Sequence, residues 1–396
     1  MKYNNVKLGD YLYIKGRIGW KGLKKEEYLP KSDYRIINGE SLTEDGIDWS
    51  KAGYISRERY EESPEIMLEN KDILISKDGT IGKIGFVESL DGCATVASGI
   101  FVIRNQRPQE INTRYVYHFL CSKAFKDFIT MRTEGSVIPH LYQKDFVELV
   151  VPLPELTVQE KIVSILDAIT LKIENNKAIN NNLQQQAESL FAEYFLNYTD
   201  VPLGWRKGNL LDIADYLNGL AMQKFRPKEG EIGLPVLKIK ELRQGFCDTD
   251  SELCSPSIRS DYLVHDGDVI FSWSGSLLVD FWCGGDCGLN QHLFKVTSTR
   301  YEPWFYYLWT NYHLARFVAI AADKATTMGH IKREDLAKAE VLIPSAEDYN
   351  KIGATLRPLL SMVISNRIEN KKLSTLRGSL LPRLMSGEID VSKVEV

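Results

Sequence analysis

Mostly apolar residues recur at alternating intervals of three and four between Thr157 and Asn197, a segment without proline or glycine. This heptad spacing is typical of a coiled-coil helix, whose apolar seam needs a partner to cover it. Thr157 and Glu160 have capping-box spacing, so we expect the helix to begin there. The predicted seam consists of Gln159, Ile162, Leu166, Ile169, Ile173, Asn176, Asn180, Leu183, Ala187, Leu190 and Tyr194.

A second seam with the same spacing lies further along the chain and is the predicted partner. It consists of Tyr349, Ile352, Leu356, Leu359, Val363, Asn366, Asn370, Leu373, Arg377, Leu380 and Leu384. Both seams carry two asparagines at their centre, and in an antiparallel pair these centres face each other. We therefore expect one polar layer that fixes the register of the two helices. A hydrated gap is the alternative.

The seam is one part of a repeat that covers the whole chain. Asp72–Thr80 matches Asp268–Ser276, and the aromatic segment Tyr115–Leu120 matches Trp304–Trp309. A repeat this long indicates domain duplication, because solenoid repeats are much shorter. We predict globular units at residues 1–156 and 201–345, each followed by a long helix, at residues 157–200 and 346–396.

Short β-rich segments bounded by Gly, Asp and Ser come first in each predicted unit. One aromatic helix follows, at Thr113–Thr130 and at Tyr301–Ala321, and its aromatic spacing favours a role in the core. The predicted fold class is α+β, with two duplicated mixed α/β domains separated by two long antiparallel coiled-coil helices. The predicted strands are Tyr34–Asn38, Asp72–Ser76, Lys83–Val87, Ile100–Ile103, Glu148–Leu153, Pro235–Ile239, Asp268–Ser272, Leu293–Val296 and Glu340–Ile343.

Composition limits the possible partners and compartments. The 396 residues have a formal net charge of -4, so any surface for nucleic acid must be a local basic patch. We find no signal core and no apolar run long enough to cross a membrane, and we expect a cytoplasmic protein with reduced cysteines. Cys283, Cys287 and His292 lack a fourth ligand at zinc-site spacing, so no metal is expected.

The sequence predicts no catalytic motif. The chain has no Pro-Pro pair of the kind an adenine methyltransferase needs. Residues 79–85 contain several glycines but lack the spacing of a phosphate-binding loop, and a turn between two strands explains them better. The histidines have no serine, cysteine or carboxylate at a recognisable catalytic spacing.

The order of these features resembles the DNA specificity subunit of type I restriction–modification systems. The second copy departs from the first at two places, where Ala325–Thr327 replaces Gly135–Val137 and Tyr349-Asn350 replaces Gln159-Glu160. The resemblance rests on the duplicated order of globular unit, Val151-Pro-Leu-Pro154, Gln159–Ile162 and heptad helix, on Asp72–Ser76 with the glycines after it, and on Gly135–Val137 leading to His140 and Asp145.

The resemblance implies a non-catalytic subunit with two target-recognition domains, each recognising one half of a split double-stranded DNA site. It implies that the two helices scaffold two methyltransferase subunits, and that two restriction subunits join in the full enzyme. The chain itself would need no cofactor. S-adenosylmethionine would belong to the methyltransferase, and ATP with Mg to the restriction subunits. The expected setting is DNA methylation and host defence in the prokaryotic cytoplasm.

Candidate DNA contacts come from polar loops with an excess of hydrogen-bond donors. Lys and Arg side chains there would neutralise phosphates, and Gln, Thr, Ser and His would contact base edges. At residues 77–83 a solvated hairpin is the alternative. The candidates are Lys77, Thr80, Lys83, Arg132, Ser136, His140, Gln143 and Lys144 in the first unit, and Ser274, Ser276, Lys324, Thr326, Thr327, His330, Lys332 and Arg333 in the second.

Two other functions remain open from the sequence. The chain could be an enzyme of nucleic-acid metabolism, such as a nuclease or methyltransferase, with an unrecognised active site. It could also be a coiled-coil adaptor that binds only proteins. If the first interpretation holds, we hypothesise that the asparagine layer sets the DNA spacer, so that adding whole heptads to both helices lengthens it.

Overall fold

The computed structural model describes residues 3–18, 22–43, 46–133, 141–323 and 330–394. The chain divides into two compact units, which we call unit 1 (Met1–Leu171 with Thr375–Val396) and unit 2 (Lys172–Ser374). The division passes through both long helices, so each unit contains one globular part and portions of both helices.

Unit 1 combines small sheets with short helices. Its strands are β1 (Asn4–Lys7), β2 (Leu12–Gly16), β3 (Tyr34–Ile37), β4 (Leu42–Thr43), β5 (Gly46–Ile47), β6 (Gly53–Ile55), β7 (Ile73–Ser76), β8 (Ile84–Phe86), β9 (Cys93–Val96), β10 (Ile100–Asn105) and β11 (Val150–Leu153). Its helices are α1 (Arg57–Glu61), α2 (Thr113–Leu120), α3 (Lys123–Thr133) and α4 (Gln143–Val147), followed by the long helix α5 (Leu156–Phe195), which continues into unit 2.

The main sheet of unit 1 has the antiparallel order β2-β10-β7-β8. Strands β7 and β10 are nearly continuous apolar runs because both faces of the sheet are covered. Ile73, Ile75, Phe101 and Ile103 pack toward helices α2 to α5, and Leu74 belongs to a second cluster on the other face. Strand β3 pairs antiparallel with β6 and parallel with β9 in a separate sheet.

Unit 2 repeats this plan with different loops. Its strands are β12 (Arg206–Asn209), β13 (Asp215–Asn218), β14 (Leu234–Leu237), β15 (Leu253–Cys254), β16 (Leu263–Val264), β17 (Val269–Ser272), β18 (Leu278–Phe281), β19 (Cys287–Leu289), β20 (Leu293–Thr297) and β21 (Glu340–Ile343). Its helices are α6 (Leu210–Ile213), α7 (Ile239–Gln244), α8 (Pro303–Tyr312), α9 (Leu314–Asp323) and α10 (Arg333–Ala337), followed by the long helix α11 (Ala346–Met385), which continues into unit 1.

The sheet order confirms the duplication. The order β13-β20-β17-β18 in unit 2 is the counterpart of β2-β10-β7-β8 in unit 1, and the pair β12-β21 is the counterpart of β1-β11. Each unit also contains a parallel strand pair, β3 with β9 in unit 1 and β14 with β19 in unit 2. The predicted α+β class with two duplicated domains and long helices is therefore confirmed, as are most predicted strands to within one or two residues.

The two long helices pack against each other in an antiparallel direction. In unit 2, Asn176 donates to Asn370 at 2.9 Å, and Asn366 donates to Asn180 at 2.9 Å. Later residues of α5 thus pair with earlier residues of α11, as antiparallel helices require. In unit 1, Arg377 donates to the hydroxyl of Thr170 at 3.1 Å.

The predicted seam agrees with burial over most of its length and shifts near the end of α5. Of its members in the first half, Ile162, Leu166 and Ile173 are buried, whereas Ile169 is only partly covered. Beyond Ala187 the buried positions are Phe191 and Phe195, because aromatic side chains of α8 cover that face. The predicted members Leu190 and Tyr194 are only partly buried there.

On the partner helix, Ile352, Leu356 and Val363 are buried, and Leu360 is more deeply buried than the predicted Leu359. Leu183 and Leu373 are partly buried. The structure therefore keeps the predicted spacing around the asparagines and changes it where the globular part of unit 2 replaces the second helix as packing partner.

Three further expectations about the helices need correction. Helix α5 begins at Leu156, with Val158 and Gln159 donating to the carbonyl of Glu155, so Thr157 lies in the first turn and is not the N-cap. Each predicted aromatic helix is two helices. The first breaks at Cys121–Ser122, where the hydroxyl of Ser122 accepts from Phe125, and the second breaks at His313. Most aromatic residues of these helices are buried in the core, as predicted. Tyr117 and Phe128 are only partly buried, and Tyr312 is exposed.

An ion pair joins each globular part to a long helix. In unit 1, Arg114 of α2 lies 3.0 Å from Asp167 of α5. In unit 2, Arg367 of α11 lies 2.6 Å from Asp280 of β18. Both pairs are partly shielded from water, so they orient α2 on α5 in unit 1 and β18 on α11 in unit 2.

Candidate nucleic-acid interface

The hairpin between β7 and β8 forms one edge of unit 1 together with the start of α4. The hydroxyl of Ser76 donates to the carbonyl of Thr80 at 2.6 Å and accepts from the backbone of Lys83 at 2.9 Å, which closes the turn. Gly79 adopts a left-handed conformation with φ of 67°, which is unfavourable for residues that have a side chain. The backbone of Leu141 donates to the carbonyl of Lys77 at 3.2 Å. This bond brings the candidates at residues 77–83 and 143–144 to one edge.

The candidates in the hairpin differ in accessibility. Thr80 is exposed at the tip. The side chain of Lys77 is only 15% exposed, and its ammonium lies 5.1 Å from the ring centre of Phe101 and 3.8 Å from Asp78. Lys83 reaches the carbonyl of Gly39 at 3.4 Å. Lys77 therefore lies along the sheet and is less accessible to DNA than Thr80.

Three further candidates of unit 1 lie around α4. Gln143 and Lys144 are exposed on its first turn, and the ammonium of Lys144 lies 5.4 Å from the ring centre of Tyr142. Arg132 at the end of α3 lies 3.4 Å from Asp145, whose other oxygen accepts from the backbone of Tyr142 at 2.8 Å. Asp145 thus caps α4 and holds Arg132 at the same time. The remaining candidates, Ser136 and His140, lie outside the described residues.

The corresponding edge of unit 2 has equivalent hydrogen bonds. The hydroxyl of Ser272 donates to the carbonyl of Ser276 at 2.9 Å, and Gly275 has φ of 64°. The backbone of Ile331 donates to the carbonyl of Trp273 at 3.1 Å, as Leu141 does to Lys77. A β-bridge joins Ser274 to His330. The candidate Lys324, Thr326 and Thr327 residues lie outside the described residues.

The remaining unit 2 candidates divide into exposed and buried ones. Ser276, His330, Lys332 and Arg333 are exposed. Ser274 is only 2% exposed, and its hydroxyl lies 3.1 Å from Nδ1 of His292. Ser274 is therefore a structural residue of the turn, and its side chain is not accessible to a macromolecule on the surface.

Sequence reasoning missed a group of side chains that this edge brings together. Trp273 follows β17 at the place that Lys77 occupies after β7. Its ring centre lies 5.5 Å from that of Phe294, 6.2 Å from His292 and 5.3 Å from His330. Its indole N–H donates to Asn218 at 2.9 Å. The alignment of the two repeats could have indicated this group, because Trp273 aligns with the candidate Lys77, each immediately after the shared serine.

Cys283 and the His118–Asp167 pair lie in environments that shift their pKa values. Burial raises the pKa of Cys283 to about 12, which keeps its thiol protonated and weakly nucleophilic. His118 is 4% exposed and donates through Nε2 to Asp167 at 2.7 Å, and burial lowers its pKa. Burial alone would raise the pKa of Asp167, but the hydrogen bond from His118 and the charge of Arg114 lower it.

In the described part of the chain, His, Cys, Asp and Glu side chains do not converge in a group able to hold a metal ion. None of the described helices combines the length and the apolar character that crossing a membrane requires.

Comparisons with known proteins agree with the duplicated architecture. The model of the type I restriction modification DNA specificity domain matches residues 2–185 and 202–376. The MjaIX specificity subunit of a type I restriction enzyme from Methanocaldococcus jannaschii is 25% identical over 337 residues, which cover 78% of this chain and 76% of that protein. The EcoKI specificity subunit of a type I restriction enzyme from Escherichia coli strain K12 is 24% identical over 404 residues. The match covers 92% of this chain and 83% of that protein.

A solved structure gives the same result for the fold. The crystal structure of a type I restriction-modification system S subunit from M. genitalium superposes with a TM-score of 0.59 at 16% identity. The superposition covers 99% of this chain and 97% of that one.

Proposed function

Because the chain belongs to the type I restriction–modification DNA specificity family, we propose that it is the sequence-specific DNA-recognition subunit of such a complex. Each unit recognises one half of a bipartite double-stranded target. The observation that carries this proposal is the pair of equivalent edges, closed by Ser76 in unit 1 and Ser272 in unit 2. Each edge gathers exposed donors on a rigid turn and a short helix, as groove contacts require.

The two edges carry different side chains, which supports an asymmetric target. Exposed polar residues of unit 1 include Thr80, Gln143 and Lys144, whereas unit 2 presents Ser276 and His330 at its edge. Different donor and acceptor sets select different base pairs in the major groove. The two half-sites should therefore differ in sequence.

The catalytic chemistry in this proposal resides in partner subunits. The paired helices α5 and α11 scaffold two methyltransferase subunits, and two restriction subunits join in a restricting complex. S-adenosylmethionine serves the methyltransferase, and ATP with Mg serves the restriction subunits. The proposed place of action is the cytoplasm of a prokaryote, where the chromosome is accessible.

A reconstitution experiment tests the proposal. The purified chain alone should neither methylate nor cleave DNA, and adding its modification subunits should produce methylation at a two-part sequence. Mapping methylated adenines in host DNA would supply that sequence and its spacer. Methylation by the chain alone would contradict the proposal and favour an enzyme.

DNA binding by the assembled complex separates the proposal from the adaptor alternative. Binding should be sequence-selective and should weaken as salt increases, because phosphate contacts release counterions. Failure to bind any sequence would favour a protein adaptor.

A further inference from the structure

The residue after the shared serine differs in kind between the two edges. In unit 1 it is Lys77, whose cation lies on Phe101. In unit 2 it is Trp273, whose ring packs on Phe294, the counterpart of Phe101 in the repeat. The same backbone place therefore holds a cation in one unit and an uncharged aromatic ring in the other.

The turn that precedes β10 in unit 1 and its counterpart β20 in unit 2 also differs between the units. In unit 1, residues 97–99 between β9 and β10 are Ala-Ser-Gly, which have no long polar side chain. In unit 2, the turn between β19 and β20 is Asn290-Gln291-His292. The side chains of Gln291 and His292 lie at the edge formed by Trp273 and His330. We call these four residues, Trp273, Gln291, His292 and His330, the aromatic–imidazole patch.

Hydrogen bonds orient the patch and leave some of its polar atoms available. The amide nitrogen of Gln291 lies 3.3 Å from Nε2 of His292 and can only donate, so Nε2 accepts. Nδ1 of His292 then carries the proton and donates to Ser274 at 3.1 Å. Within the described chain, neither the Oε1 of Gln291 nor the ring nitrogens of the exposed His330 have a hydrogen-bond partner.

These available groups suit base edges better than phosphates. A Gln amide matches the N6 and N7 positions of adenine, and an uncharged imidazole offers one donor and one acceptor. Phosphate contacts favour Lys and Arg, and two such residues lie near the patch: Lys332, the N-cap residue of α10, and Arg333 in its first turn. The rings of Trp273 and Phe294 give the polar groups a firm support, which precise base contacts need.

We propose that the aromatic–imidazole patch is the surface through which unit 2 contacts base edges in one half-site of the DNA target. This inference rests on the proposed function. Gln291 and His330 make the base contacts, and Trp273 and His292 hold them in place. Unit 1 has no equivalent patch in its described residues, because small residues fill the corresponding turn and Lys77 replaces the tryptophan.

The test uses the complex assembled with its modification subunits and the DNA sequence found by methylation mapping. Binding is measured for duplexes with each single-base change in both half-sites, at several salt concentrations. The variants are Gln291→Ala and His330→Ala, with Trp273→Phe as a milder change of the support. Gln109→Ala is the matched control, because Gln109 is an exposed glutamine of unit 1 outside both edges. Lys144→Ala is the comparison for a phosphate contact.

Gln291→Ala and His330→Ala should each lose roughly 5- to 100-fold of discrimination at positions in one half-site, the range expected for one base contact. The salt dependence should stay unchanged. Trp273→Phe should lower discrimination at the same positions, because it removes the bond to Asn218. Lys144→Ala should weaken binding to all sequences and reduce the salt slope by about 1.

The inference would be overturned if Gln291→Ala and His330→Ala both discriminated against single-base changes as well as the wild type does. An equal loss of affinity for all sequences would also overturn it. If the wild-type complex showed no sequence preference, the proposed function itself would be contradicted. These two results are distinct, so a failure of the patch does not imply a failure of the function. Thermal unfolding of each variant verifies that the chain remains folded.

Discussion

The hydroxyl of Tyr349 accepts a 2.7 Å hydrogen bond from the backbone N–H of Glu302, the residue that precedes helix α8. In unit 1 the counterpart of Tyr349 is Gln159, whose Oε1 accepts from the backbone of Asn112 at 2.8 Å, just before helix α2. Two different side chains thus fix the start of the aromatic helix to the long helix in both units. This substitution, which the sequence presents as a departure from the repeat, preserves one structural role.

Tyr349→Phe should lower the free energy of unfolding of unit 2 by about 1–3 kcal/mol, because the N–H of Glu302 loses its acceptor. Urea unfolding followed by tryptophan fluorescence provides the measurement, since Trp304 stacks on Tyr349 at 5.1 Å. Tyr312→Phe is the matched control, because Tyr312 is 49% exposed. Equal effects of the two substitutions would show that the hydroxyl of Tyr349 contributes nothing.

Asn176→Leu should lower the free energy of unfolding by about 1–3 kcal/mol, because the side-chain oxygen Oδ1 of Asn370 loses the donor it has in the helix interface. The double variant Asn176→Leu/Asn370→Leu should recover most of this loss, since both polar partners are then replaced by apolar ones. A double-mutant cycle from urea unfolding measures the coupling. Strictly additive effects would contradict a direct interaction.

The stability of unit 1 should fall as the pH drops below about 6.5, partly because of His118. Burial lowers the pKa of His118 below its ordinary value of 6.5, so the unfolded chain takes up a proton at a higher pH than the folded chain. His118→Gln should therefore lose less stability between pH 7.5 and pH 5 than the wild type. Unfolding free energies at several pH values test this, and identical pH dependence would refute it.

Gly219→Ala should disturb the turn that carries Gln291 and His292. A Cβ atom at Gly219 would lie 2.2 Å from the carbonyl oxygen of Asn290, so one backbone segment must move. The expected result is a loss of discrimination in the same half-site that Gln291→Ala affects. Gly79→Ala is the comparison, because a Cβ there meets open space and the cost is limited to its φ of 67°. Unchanged discrimination in folded Gly219→Ala would contradict this role of the turn.

Much of the architecture follows from local patterns in the sequence. The heptad spacing predicts two long helices, and the structure has them at Leu156–Phe195 and Ala346–Met385. The predicted strand Asp72–Ser76 is β7, and the predicted strand Asp268–Ser272 is β17. Periodic burial and turn residues are properties of neighbouring residues, so they are visible in the sequence.

The breaks in the aromatic helices were less visible. At the first break the hydroxyl of Ser122 accepts from the backbone N–H of Phe125 and so caps the start of α3. At the second break Nε2 of His313 lies 2.8 Å from the carbonyl oxygen of Glu340. The second contact links residues that are far apart in the sequence. Continuous helical periodicity on both sides of each break hides the change of direction.

The sequence by itself determined the duplication, the α+β class and the asparagine positions in the two seams, because repeats and heptads are read directly from residue spacing. Only the tertiary structure decided which side chains are accessible at the two edges. It buries Ser274 against His292, lays Lys77 along Phe101 and brings Gln291 to the edge that holds His330. These outcomes depend on packing between distant segments, which spacing along one chain does not encode.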